Sequence, residues 1–72
     1  MFRATIRGSD EERFHVSGEV VPYDLEILRQ HILARGGRGT RVEVQLPPAL
    51  RRAFLRALAD LEWRGVELVL EP

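Results

Sequence analysis

A chain of 72 residues is the size of one small domain, and at that size only about 60% of the unfolded chain's surface is buried on folding. The absence of Cys excludes disulfides and thiolate metal sites, and the two histidines, His15 and His31, lack any ligand spacing, so neither a metal nor another cofactor is expected. Eleven basic and eleven acidic residues cancel, which removes the overall basic footprint of a nucleic-acid binder and leaves only local patches to weigh.

No apolar run approaches the ~20 residues of a membrane span, and the start Met1-Phe2-Arg3-Ala4-Thr5 lacks the apolar stretch of a signal peptide. The expectation is a cytoplasmic protein with no membrane contact. Every basic residue is Arg, with no Lys or Asn, a composition that fits a GC-rich or thermophilic source. A core of this size contributes only ~3–5 kcal/mol, so with disulfides and metals gone, a second subunit is the expected extra support.

From Phe2 to Arg7 the chain alternates, with Phe2, Ala4 and Ile6 apolar and Arg3, Thr5 and Arg7 polar, the period-two pattern of a half-buried strand. Gly8-Ser9-Asp10-Glu11-Glu12 reads as a polar turn. Alternation resumes through Phe14, Val16, Gly18 and Val20, with His15, Ser17 and Glu19 on the other face, predicting an antiparallel hairpin. Pro22 ends the second strand and opens a helix, from about Tyr23 to Arg35, in which Leu25, Leu28 and Ile32 make the apolar stripe and Asp24 and Glu26 favour the start of the helix dipole. Gly36-Gly37 supplies the stop.

Thr40 to Leu46 alternates again, with Val42, Val44 and Leu46 on one side and Arg41, Glu43 and Gln45 on the other. Pro47-Pro48 then pre-sets the first turn of a second helix, whose apolar face is Leu50, Phe54, Ala57, Leu58 and Leu61. Gly65 is the expected residue just past its end, and Val66, Leu68 and Leu70 mark a fourth strand with Glu67 and Glu71 outward.

Two strand-helix-strand units with short loops predict parallel pairing through right-handed crossovers. Because every strand keeps one polar face, both helices should cover the other. The predicted fold is an α/β two-layer sandwich, ββαβαβ, with a four-stranded mixed sheet and both helices on one face, forming a single domain over residues 1–72.

The outward residues His15, Ser17 and Glu19 superficially suggest a nucleophile set. Alternate strand residues lie roughly 6.6 Å apart, however, beyond the ~2.6–3.2 Å of a proton relay, so a solvated sheet face is the reading and no catalytic residue is assigned. The loop Arg35-Gly36-Gly37-Arg38-Gly39-Thr40-Arg41 offers guanidiniums for phosphate, but it follows a helix and opens a strand, the reverse of the phosphate-loop order. Arg51 and Arg52 stand in the first turn of the second helix, where the dipole disfavours cations by ~0.3–1 kcal/mol each. Arg35, Arg38, Arg41, Arg51 and Arg52 are therefore the candidate anion-binding residues.

The second helix carries another stripe, Leu55, Ala59 and Trp63, turned away from Phe54 and Leu58. One reading packs it on the first helix, against Ile27 or His31. The other makes it a protein interface anchored by Trp63 and flanked by Arg52 and Arg56, residue types enriched at binding hot spots. The open sheet face presents no Phe or Tyr for stacking bases, which disfavours RNA binding of that kind.

The order of strand Val16-Ser17-Gly18-Glu19-Val20, helix with Leu25-Glu26-Ile27-Leu28, strand Val42-Glu43-Val44-Gln45-Leu46, helix, Gly65, and strand Val66-Glu67-Leu68-Val69-Leu70 resembles the STAS domain of anti-sigma factor antagonists over most of the chain. The resemblance implies a domain that docks on a protein partner. In that family a phosphorylatable Ser or Thr after an Asp opens the second helix and controls docking, whereas here the segment reads Leu46-Pro47-Pro48-Ala49-Leu50. The switch therefore maps to no residue of this chain, which is also shorter than a usual STAS domain and lacks its last helix.

These observations predict a non-enzymatic protein-interaction or regulatory module that associates with itself, as a homodimer, or with another protein. The alternative is a binder of phosphate-bearing ligands or nucleic acid through the Arg-rich loops. A small subunit or assembly factor of an enzyme reads the same way as the first.

Overall fold

The computed structural model describes residues 2–35 and 37–71. It contains β1 (Phe2–Arg7), β2 (Glu11–Val16), α1 (Pro22–Ala34), β3 (Arg41–Gln45), a 3-10 turn (Pro48–Leu50), α2 (Arg51–Leu58), α3 (Asp60–Trp63) and β4 (Glu67–Leu70). The strands form one mixed sheet in the order β2-β1-β3-β4.

The hairpin closes earlier than the polar run suggests. Arg7 pairs with Glu11 across a loop of Gly8 to Asp10, so Glu11 and Glu12 belong to the strand and not to the turn. The strand also ends earlier, at Val16. Gly18 turns the chain with φ +89°, and Ser17 and Glu19 leave the sheet, so the alternation that continues to Val20 no longer reports a pleat.

A second correction concerns pairing. β2 and β3 point the same way, but β1 lies between them and pairs antiparallel with both. Only β3 and β4 form a parallel neighbour pair. The inward residues explain the order: β1 brings Phe2, Ala4 and Ile6, all buried, and belongs at the centre, whereas β2 turns Glu12 inward opposite Ile6, which only an edge strand tolerates.

Both helices cover one face of the sheet. Leu25, Leu28 and Ile32 of α1 and Phe54, Leu58 and Leu61 of α2 and α3 share a single buried cluster with the inward residues of β1 and β3. The start of α1 has no side-chain cap on Val21; instead Pro22 opens the helix and the Asp24 carboxylate accepts the Val21 N–H at 2.8 Å, half of a capping box. At the C-terminal end, Arg35 N–H closes the last turn on the Ile32 carbonyl at 3.1 Å. Gly36, one of the two expected stop residues, lies outside the described residues, while Gly37 carries φ +80°.

The second helix is segmented. The Leu50 N–H bonds the Pro47 carbonyl at 2.9 Å, a tight i to i−3 turn that the two prolines impose by withholding donors. At Ala59 the backbone stays helical, φ −58° and ψ −35°, but the Glu62 N–H bonds back only to Ala59, separating α2 from α3. The end is a Schellman motif: Val66 N–H reaches the Leu61 carbonyl and Gly65 N–H the Glu62 carbonyl, each at 3.1 Å, with Leu61 and Val66 both buried.

Gly65 has φ +90°, and a Cβ there would sit 3.1 Å from the Arg38 backbone. Gly18, at φ +89°, faces open space. Gly65→Ala should therefore destabilise the fold by about 1–3 kcal/mol and Gly18→Ala by less, measured by urea titration under far-UV circular dichroism. Equal losses would show that the approach of Arg38 costs nothing.

Candidate functional site

Packing uses two sides of the α2–α3 segment, one toward the core and one toward α1, and leaves the outer side to solvent. Phe54, Leu58 and Leu61 point into the core. The side toward α1 is taken by Arg29, whose guanidinium grips both oxygens of Asp60 at 2.5 and 2.6 Å and the Ala57 carbonyl at 3.2 Å. What remains outward is Arg52, Arg56, Ala59 and Trp63, all exposed, with Trp63 at 92% and Leu55 at 39% of full exposure.

The second apolar stripe accordingly does not pack on α1. His31, one of its two expected neighbours, turns to the opposite edge of the molecule. There its ring lies 5.6 Å from that of Phe14 and its Nδ1 is 2.9 Å from the Glu12 carboxylate. Large apolar residues that stay exposed among those described are Val21, Tyr23, Leu55 and Trp63, and every one stands on the helical layer.

The candidate anion-binding arginines do not converge. Arg35 is held by Asp10 and by Glu12, the latter at 3.3 Å, so its charge is spent inside the fold. Arg38 lies beside it in a depression of about 350 Å³ with Ser9, Asp10 and Thr40, where the carbonyl end of α1 disfavours an anion. Arg41 belongs to the open sheet face, 3.4 Å from Glu43 and 3.8 Å from Glu67. Arg51 and Arg52 open α2, on a different element from the other three.

The three residues that superficially suggest a nucleophile set also lie apart. His15 faces out from β2 opposite Arg3, while Ser17 and Glu19 are exposed beyond the strand. The open sheet face instead neutralises itself: Arg7 pairs with Glu43 at 2.8 Å and Glu11 at 3.0 Å, and Arg13 with Glu11 at 3.0 Å. The Arg7 hydrogen bond holds the Glu43 carboxyl below its ordinary range, and among the described residues no Phe, Tyr or Trp stands on this face.

Sequence reasoning missed the Asp10, Glu12, His31 and Arg35 tie that joins the hairpin to α1. Its signal was Glu12 itself, which shares the alternation of Phe14 and Val16 and so had to point inward and find a cationic neighbour. The exposed apolar pair Val21 and Tyr23 was also missed, because both stand where the chain enters α1 and the apolar stripe there begins only at Leu25.

Among the described residues, no three His, Asp or Glu side chains gather as a metal-ligand set, and no helix is long and apolar enough to cross a membrane. Comparisons with family models, with curated proteins and with solved structures find no match for this chain.

The hydrogen bonds from Arg29, ahead of its charge, hold the Asp60 carboxyl below its ordinary value of 3.8. A carboxyl depressed in the folded state contributes stability that is complete above that ordinary value and is lost as the pH falls through the folded one. Asp60→Asn should therefore be less stable than the parent at neutral pH, with the gap closing in acid, followed by urea titrations from pH 7 down to about 3. A gap that persists unchanged in acid would place its origin outside this ion pair.

Proposed function

We propose that this protein is a non-enzymatic interaction module that associates with itself through the outer face of its second helix, with Trp63 as the anchor. The observation that carries the reading is the 92% exposure of Trp63. Leaving an indole in water forgoes about 1.5–3 kcal/mol or more of burial free energy, and Trp, Tyr and Arg are the residues on which binding energy concentrates.

Two further features support it. Arg52 and Arg56 flank Trp63 on the same face, and neither has an ionic partner among the described residues. The opposite face of the molecule, the open sheet, is paired with itself and has no apolar centre. The STAS resemblance points the same way, since a domain of that kind without its hydroxyl switch retains only the docking role. In this reading the module works in the cytoplasm, either as a homodimer or as a small subunit of a larger assembly.

Trp63 is the single tryptophan, so its fluorescence reports this face alone. Light scattering over a concentration series should show a dimer that dissociates on dilution, with a red shift of the emission as it does so. Trp63→Ala should stay monomeric at the same concentrations with an unchanged circular dichroism spectrum, because the side chain contributes nothing to the core. A parent protein that is monomeric throughout, or a variant that dimerises equally well, would overturn the reading.

A further inference from the structure

The outer surface of the helical layer carries opposite charges on its two helices. On α1, Tyr23, Glu26 and Gln30 recur at helical spacing opposite Leu25, Leu28 and Ile32, and all are exposed; Glu19, just ahead of the helix, is exposed as well. This half is acidic, with Tyr23 at 69% and Val21 at 46% of full exposure. On α2 the corresponding face is basic, with Arg52 and Arg56 around Leu55 and Trp63.

Among the described residues neither set forms a salt bridge, although the Arg29 guanidinium on the same helix lies close enough to act on Glu26. The ion pairs among the described residues lie on the open sheet face, at the hairpin end, or between Arg29 and Asp60. Glu26 accepts the Gln30 amide at 2.9 Å, and among the described residues Glu19, Arg52 and Arg56 have no ion pair. The layer thus presents two apolar patches, one beside Glu19 and Glu26 and one beside Arg52 and Arg56, with Glu62 also next to Trp63.

We propose that the second copy of this chain seats its α1 on α2, and its α2 on α1, in an isologous dimer whose twofold axis runs along the helices. The proposal rests on the self-association reading above and specifies its geometry. β2, β3 and β4 all point the same way, so α1 and α2, which return between them, run side by side in one direction. Arg29 stands level with Ala57 and Asp60, which sets Tyr23 near the level of Arg52 and Glu26 near that of Arg56.

A twofold axis along the helices keeps those levels and exchanges the helices. Glu26 of each subunit then meets Arg56 of the other, and the Tyr23 ring meets the Arg52 guanidinium, a cation–π pairing. Trp63 lies on the C-terminal half of the opposite α1, where Gln30 and Ala34 are exposed. An axis across the helices would set α1 on α1 and α2 on α2, confronting like charges. A standard interface takes about 800 Å² from each partner, roughly a sixth of the 4874 Å² surface of this chain, which one face of a two-layer domain can supply.

Two charge-reversed proteins test the arrangement: R52E/R56E, with both helices acidic, and E19R/E26R, with both basic. Each alone should dimerise at least about tenfold more weakly than the parent while keeping its circular dichroism spectrum. An equimolar mixture should recover a dimer of near-parental affinity, because both contacts of the mixed dimer are complementary; sedimentation velocity reads this out. Misfolded variants would not rescue one another. If E19R/E26R dimerises like the parent, or the mixture recovers nothing, while Trp63→Ala still dissociates the dimer, the exchanged-helix arrangement is wrong and self-association through α2 stands. A parent that never dimerises removes both.

Discussion

Closure of the inner sheet face by α1 and α2 sets the terms for the rest of the molecule, because each strand has one apolar side and the chain has only these helices to cover it. Phe2 and Ile6 at the centre and Val42 and Val44 beside them are fully buried. Covering them consumes the stripe of Leu25, Leu28 and Ile32 on one helix and of Phe54, Leu58 and Leu61 on the other. Among the described residues nothing further covers a second apolar face on either helix, and such a face stays exposed to solvent. Trp63, Leu55, Tyr23 and Val21 are where this constraint surfaces.

The polar contacts follow from the same geometry. Two helices side by side on a sheet leave a seam, and Arg29 fills it by holding Asp60 and the Ala57 carbonyl together. At the hairpin end, the strand pleat turns Glu12 toward α1, and His31 and Arg35 meet it there. Charges that the fold brings together are thereby paired, each exposed pair contributing little on its own, about 0–1 kcal/mol. On the outer helical surface Glu26 on α1 is set apart from Arg52 and Arg56 on α2, with Glu62 beside Trp63 at the far end. On a chain whose net charge is zero, that separation is a property of placement and could not be read from composition.

Much of the fold was legible because the apolar residues repeat at the period of the element they build. The inward set of β1 and β3, the α1 stripe and the Gly65 stop all follow from local rules. What failed to be legible was non-local. Alternation through Val20 could not reveal that the strand stops at Val16, since Gly18 interrupts the pleat without interrupting the pattern. Strand order depended on which strand could afford an inward charge, and Glu12 was hidden in a run that reads equally well as a turn. For the candidate site, the stripe of Leu55, Ala59 and Trp63 was visible as a helical period, but its surroundings were not. Whether α1 covers it is decided by the seam, and Asp60, not Trp63, occupies that side.

The exposed indole and the thin core are two aspects of one physical situation. A domain of this length buries too little surface to be generously stable alone, and any partner that binds only the folded state adds stability through mass action, by RT ln(1 + [L]/Kd). A second copy is the one such partner whose concentration always equals that of the protein itself. A face that buries Trp63 and Tyr23 across a twofold axis would couple folding to association, and the stability of the chain would then rise with its own concentration. In that arrangement the apolar surface exposed on the monomer would be the part of the molecule on which its persistence depends.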